Sequence, residues 1–143
     1  MSHPFTVSLI GWHDGEPLLR SVREAVFIHE QKVPSELEWD GLDETCRHAL
    51  ALSHKGDAVG CGRMLGNGHI GRIAVLPQWR KQKVGTAIME ALLGYARAYQ
   101  YKQVVVDAQT YAVPFYQGFE FVEHGEMFLE AGLPHIKMSL KLN

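Results

Sequence analysis

The chain has 143 residues, 46% of them hydrophobic and 21% charged, with a formal net charge of −2. That length suffices for one domain with a real core, expected over 1–143, and the charge balance excludes a global field drawing the chain to nucleic acid, so anion binding must come from local charge. No apolar run approaches a membrane span, Met1-Ser2-His3-Pro4-Phe5 lacks the basic and apolar regions of a secretory signal, and Cys46 and Cys61 read as reduced core thiols, so a cytoplasmic protein with neither membrane nor nucleic-acid partner is expected.

Residues 5–10 read as a first strand. Asp14-Gly15-Glu16-Pro17 signals a helix start with Pro17 in the first turn, and Leu19, Val22, Val26 and His29 then fall along one face. Val33-Pro34-Ser35-Glu36 breaks that helix and starts one short helical turn, and 36–44 reads as an acidic surface loop that can also attract a cationic amine. Residues 48–53 and 58–65 are strands about the turn His54-Lys55-Gly56-Asp57. Gly66-Asn67-Gly68 is a hairpin signal leading into a strand over 70–76. A helix over 84–100 places Val84, Ala87, Ile88, Ala91, Leu92, Tyr95 and Tyr99 on one face. An apolar strand over 103–107 follows, then a short helix opened by Pro114 and closed by Gly118, then strands over 119–122 and 135–142. The long helix is a crossover, so the strands on either side of it are parallel neighbours in a mostly antiparallel sheet. The fold class is mixed α/β (α+β), without repeats or low-complexity segments.

The stretch Arg80-Lys81-Gln82-Lys83-Val84-Gly85-Thr86-Ala87 joins a strand to that long helix. The first helical turn leaves N–H groups unpaired and adds partial positive charge. Arg80, Lys81 and Lys83 crowd the same turn, a combination suited to a pyrophosphate with a nearby phosphate, hence a phosphorylated carrier or nucleotide. No Gly-Lys-Ser/Thr follows a glycine loop, so a nucleoside-triphosphate loop is not indicated. The histidines are scattered without paired metal-ligand spacing, and no metal is expected.

The same region resembles the GNAT superfamily of acyl-CoA-dependent N-acetyltransferases. The family's phosphate loop, Arg/Gln-x-x-Gly-x-Gly/Ala, aligns with Arg80-Lys81-Gln82-Lys83-Val84-Gly85, Lys83 standing where the family usually has its first glycine. A second signature, a short helix carrying Phe-Tyr followed by Gly-Phe, is similar to Phe115-Tyr116-Gln117-Gly118-Phe119. Val22-Arg23-Glu24-Ala25-Val26-Phe27, Glu30-Gln31-Lys32-Val33-Pro34 and Gly132-Leu133-Pro134-His135-Ile136-Lys137-Met138 resemble a small bacterial subgroup of the family.

The resemblance implies a sheet splayed at its central parallel pair, often beside a bulge, and acetyl-CoA as co-substrate. Its pyrophosphate would rest on Arg80, Lys81, Gln82, Lys83, Val84, Gly85 and Thr86. Its pantetheine arm would pair with the backbone of Ile73, Ala74 and Val75, where an N–H near Val75 could face the thioester oxygen, and Phe115 would flank it or belong to the core. Tyr116 is the expected general acid, since a phenol is protonated at neutral pH and can give its proton to a departing thiolate. The strand over 70–76 offers no glutamate where many members carry one, which leaves His135, Glu30, Asp40, Asp43, Asp107 and His69 as candidate bases. His135 has the best placement, at the start of a final strand antiparallel to 103–107; there it either takes a proton or fixes the preceding loop by a hydrogen bond. Glu30, Gln31 and Asp40 are the candidates for binding the acceptor. The reading is transfer of acetyl to a primary amine, on a small molecule or a protein, by direct attack in a ternary complex, with a homodimer left open. The alternative is a non-catalytic acyl-CoA-binding module or sensor.

Overall fold

A computed structural model of the chain describes residues 4–142. The strands are β1 (Phe5–Ile10), β2 (Arg47–Ser53), β3 (Ala58–Met64), β4 (His69–Val75), β5 (Gln103–Gln109), β6 (Val122–Glu130) and β7 (Leu133–Lys141). The α-helices are α1 (Trp12–Arg23), α2 (Ser35–Glu38), α3 (Val84–Ala98) and α4 (Val113–Gln117). One seven-stranded sheet runs in the order β1-β2-β3-β4-β5-β7-β6. Among its pairings only β4 and β5 are parallel.

α1 starts at Trp12, behind an extended Gly11, and not at residue 14. Pro17 therefore lies inside the helix, on its exposed side. The early start seats Trp12 in the core against His48, with ring centroids 5.4 Å apart. α1 runs on without a break into a π-helical segment, Glu24–Glu30, which carries the chain to the edge of the sheet's central gap. The chain breaks at Val33-Pro34, and the turn after it is α2. The expected last hairpin is longer than anticipated, since β6 covers Val122–Glu130 and not 119–122.

α3 packs on one face of the sheet and α1 on the other, each over its own apolar cluster. α3 lies close on β3 because Gly60 and Gly62 present no side chain: a Cβ on Gly62 would stand 2.8 Å from the Ile88 side chain. Val84, Ile88 and Leu92 are buried as the helical periodicity requires, whereas Tyr99 at the helix end is 66% exposed. Both cysteines are buried and free, and burial pushes the Cys61 thiol up to about 12.

Two irregularities open the sheet. β5 keeps register with β7 along its whole length, yet pairs with β4 only at His69↔Val105 and Ile70↔Val106. On its other side β4 pairs Gly71 with Arg63 and Ala74 with Cys61, so Arg72 and Ile73 together oppose the single residue Gly62. That is a β-bulge, and Arg72 takes a left-handed φ of 53° within it. Beyond Ile70 the two parallel strands part.

Candidate active site

A cleft of about 1000 Å³ fills the gap between β4 and β5. This is at the upper end of the roughly 300–1,000 Å³ range of small-molecule sites, enough for a long arm and a second reactant together. The Leu76 N–H donates to the Val59 carbonyl at 2.9 Å, which with the register Cys61↔Ala74 and Gly60↔Val75 fixes the alternation along β4. Ala74 turns its peptide groups toward β3, while Ile73 and Val75 turn theirs toward the gap. The expected backbone contact of Ala74 is thereby corrected: its peptide belongs to the sheet, and it offers the cleft only its side chain. The Val75 carbonyl accepts from Arg80 Nε at 2.9 Å.

At the open end of the gap, α3 begins without a side-chain cap. Its first helical hydrogen bond runs from Ala87 N–H to Lys83 O at 3.0 Å, which leaves the amides of Val84, Gly85 and Thr86 without helical acceptors. A Cβ added at Gly85 would come no nearer than 3.6 Å to Phe115, so the protein's own packing does not require glycine there. The bare position instead keeps the approach to those amides open, as a diphosphate would need. Lys83 sits at φ 69°, a left-handed conformation that glycine adopts most easily. Lys83 thus takes a conformation open to glycine while adding a cation to the turn.

Arg80 is not a free phosphate cation. Its guanidinium donates to both carboxylate oxygens of Glu30, at 2.8 and 2.6 Å. The hydrogen bond to Arg80 holds the Glu30 carboxyl below the ordinary range, and Glu30 raises Arg80 in return. Glu30, expected near the acceptor, instead ties the end of the π-helical segment to the phosphate turn and stands outside the cleft wall. Gln82 also stands outside it, its Nε2 donating to Gln78 O at 3.1 Å. Lys81, Lys83, Val84, Gly85, Thr86 and Phe115 do line the cleft.

Tyr116, on α4, lines the cleft beside them. Its ring packs edge-on against Phe115 at 5.2 Å and Phe121 at 5.8 Å. Burial pushes its phenol pKa well above the ordinary value, so it stays protonated. His135 lies opposite Gln109 across β5 and β7, at the open end as anticipated. Its Nδ1 donates to Leu133 O at 2.8 Å and its ring stacks on Phe128 at 5.8 Å. Its other nitrogen, Nε2, has Glu130 as its neighbour at 3.9 Å.

The wall facing the bulge was not foreseen. Three arginines and three carboxylates interlock beneath it. Arg23 donates to Glu38 Oε2 at 2.7 Å and to Asp43 Oδ1 at 2.6 Å. Arg63 reaches Asp43 at 2.8 Å and Asp40 at 2.5 Å. Arg72 Nη2 donates to the Leu37 and Glu38 carbonyls at 3.2 and 3.1 Å and to Asp40 at 3.3 Å. The segment read as a solvated acidic loop therefore folds inward: Glu38 and Asp43 are buried, and Asp43 is withdrawn from the cleft. Burial works against the charge of Asp40, but hydrogen bonds from Arg63 and the Leu42 N–H, with the charges of Arg63 and Arg72, outweigh it and bring the carboxyl down to about 2. For Glu38 burial wins, and the carboxyl lies above its ordinary value despite Arg72 and Arg23. Gln31 closes this side by accepting from Gln109 Nε2 across the gap at 2.9 Å. Among the described residues no group of three or more His, Cys, Asp or Glu is arranged to hold a metal ion.

The acetyltransferase (GNAT) domain family model matches residues 16–142. A Bacillus subtilis protein named as an uncharacterized N-acetyltransferase, YjcF, is 40% identical over 122 residues, 82% of this chain and 86% of that protein. Protein ElaA of Escherichia coli is 33% identical over 129 residues, 85% of this chain and 84% of ElaA. The ElaA crystal structure superposes with a TM-score of 0.84 at 30% identity, over 94% of this chain and 98% of ElaA. An acyl-CoA N-acyltransferase from Pseudomonas aeruginosa superposes with a TM-score of 0.82 at 29% identity, over 95% of this chain and 99% of that one. With a splayed parallel pair, a bulge at its mouth and an uncapped helix at its end, the chain belongs to the GNAT acetyltransferase family, whose fold carries out acyl-CoA-dependent acyl transfer.

Proposed function

We propose that the protein transfers an acetyl group from acetyl-CoA to a primary amine of a small molecule, by direct attack in a ternary complex. The observation that carries this reading is the gap between β4 and β5, which exposes backbone on one side and Tyr116 on the other within a single cleft. Ile73 and Val75 offer peptide groups to a pantetheine arm as an added strand would use them. An N–H there lies where charge develops on the thioester oxygen, the contact that stabilises the transition state most. Val84, Gly85 and Thr86, with Lys81 and Lys83, hold the diphosphate. Arg80 sets the shape of this turn through Glu30 and the Val75 carbonyl. Tyr116 Oη gives its proton to the departing thiolate. Asp40 shapes the acceptor side with its charge balanced by Arg63 and Arg72, and Gln31 fixes that side to β5. His135 holds the turn between β6 and β7 while presenting Nε2 to the cleft.

The test is CoA release from acetyl-CoA with a panel of amines, in the wild type and in Tyr116→Phe. The variant is expected to lose about 10²-fold in kcat with its calorimetric affinity for acetyl-CoA unchanged. Unaltered turnover would remove Tyr116 as the acid. Acetyl-CoA binding without turnover on any amine would replace the transferase by an acyl-CoA sensor.

A further inference from the structure

At the apex of the gap, where β4 and β5 make their last contact, the side chains of His69 and Asp107 meet. Nε2 of His69 lies 3.2 Å from Asp107 Oδ2. Val104, Val106 and Ala108 point into the α3 cluster, so alternation places Asp107 and Gln109 on the opposite face of β5, and His69 likewise lies opposite to Ile70 on β4. Both members of the pair line the cleft. A carboxylate can only accept, so Nε2 is the donor side of the pair and Nδ1 is the nitrogen turned away from Asp107. The His69 side chain is 32% exposed and reachable from the cleft, and the Asp107 side chain is 19% exposed. Asp107 Oδ1 is buried and makes no hydrogen bond; Lys137 Nζ, on β7, stands 3.9 Å from it. The other charged groups on this side of the cleft are Arg72 of the bulge, paired with Glu38 at 3.2 Å, and Arg63 with Asp40 beside it.

We propose that His69 is the general base of the acyl transfer, with Asp107 orienting its ring and balancing the imidazolium. This rests on the amine-acetylation reading above. A strand-like arm anchored at the α3 N-terminus passes Val75 and Ile73 and runs toward the apex, about 20 Å along β4 from Val75 to His69. On the face opposite α3, His69 and Asp107 stand at the closed end of that path, whereas His135 lies across β7 at the level of Gln109. The acceptor ammonium gives one proton to His69 Nδ1. The freed nitrogen lone pair forms the N–C bond to the thioester carbonyl, and the C–S bond breaks. Tyr116 Oη protonates the thiolate and is reprotonated by the second proton of the amine. His69 releases the first proton to solvent, so one proton leaves for each amide formed.

The experiment measures kcat/KM against pH with acetyl-CoA and spermidine, ethanolamine and lysine methyl ester as amines, alongside calorimetric binding of acetyl-CoA. His69→Gln is expected to lower kcat/KM by about 10²-fold or more, to abolish the acidic limb of the profile, and to leave acetyl-CoA affinity intact. Asp107→Asn is expected to shift that limb to lower pH, because the imidazolium loses its counter-charge. His135→Gln keeps the limb even where it lowers the rate. Wild-type turnover with His69→Gln within about threefold of it, or an acidic limb that disappears in His135→Gln instead, would overturn the base while leaving the transferase. A wild type that binds acetyl-CoA but acetylates none of the three amines would overturn both. An independent readout is the imidazole titration of His69 by NMR in the wild type and Asp107→Asn. A lower pKa in the variant supports the pair, and equal values would refute it.

Discussion

The cleft wall built by α2 and the bulge stands on Arg23, and replacing it by methionine tests whether that wall is held by charge. Arg23 is 1% exposed. Its guanidinium satisfies Glu38 Oε2, Asp43 Oδ1 and the Glu38 carbonyl at 2.7, 2.6 and 3.1 Å. Arg23→Met keeps much of the buried volume but leaves two buried carboxylates with fewer partners, and breaking a buried pair in this way costs about 3–5 kcal/mol. Asp43 retains Arg63 and Glu38 retains Arg72, so the lower end is expected. A chain of 143 residues unfolds with an entropy near 0.3 kcal/mol/K, so the melting temperature should fall by about 10 °C or more. Because burial already holds Glu38 above its ordinary value, protonating it removes the stranded charge, and the deficit should shrink as pH falls from 7.5 to 5. Urea denaturation of both proteins at the two pH values measures this. A loss below about 1 kcal/mol at pH 7.5, or one that grows on acidification, would refute the account, since an uncompensated buried charge can do neither.

Lys83→Gly relieves a left-handed backbone worth about 1–2 kcal/mol against about 0.5–1 kcal/mol of added chain entropy, so thermal stability should stay level or rise slightly; a fall of several degrees would contradict the strain. Lys81→Ala with Lys83→Ala should weaken acetyl-CoA binding more at low salt than at high salt, because these exposed charges are screened, while Arg80→Ala should show a weaker salt dependence because Glu30 already balances its charge; equal slopes for the two variants would argue against that division. The Asp40 carboxyl lies at about 2 against an ordinary value of 3.8, so the unfolded chain binds more protons between those values. Stability from this group is present above about pH 4 and is lost as pH falls toward 2, and Asp40→Asn should flatten that limb of the stability–pH curve.

The turn before α3 and the short helix α4 were legible in the sequence because their signals are local. The helix start at Val84, the basic turn before it and the Phe-Tyr of a short helix each depend on neighbours within a few residues. Their structural counterparts fall where the spacing puts them. β6 was truncated in the sequence reading because as an edge strand it is almost wholly exposed, so Glu123, His124, Gly125 and Glu126 show no alternation to read. The early start of α1 was hidden by Pro17, which normally marks a first turn but here sits inside a helix anchored further back by Trp12.

The opposite wall of the cleft fails to show in the sequence for a different reason. Its contacts link residues 15 to 35 apart, such as Arg23 with Glu38 and Arg72 with Leu37, and no periodic template covers such distances. There was nonetheless a signal. Arg63 and Arg72 each interrupt an otherwise apolar or glycine strand, and Arg23 falls beside Leu19, Val22 and Val26 on the buried side of a helix. An arginine cannot be buried without partners, so three such positions demand several acceptors from elsewhere in the chain, and 36–44 is the most acidic segment available. The bulge follows from the same requirement. By placing Arg72 in the left-handed region, it turns the guanidinium toward α2 while letting Ile73 keep its place over α3. One backbone irregularity thus builds this wall of the cleft and opens the sheet, and this is why a charged residue is found at the centre of a parallel pair that would otherwise close.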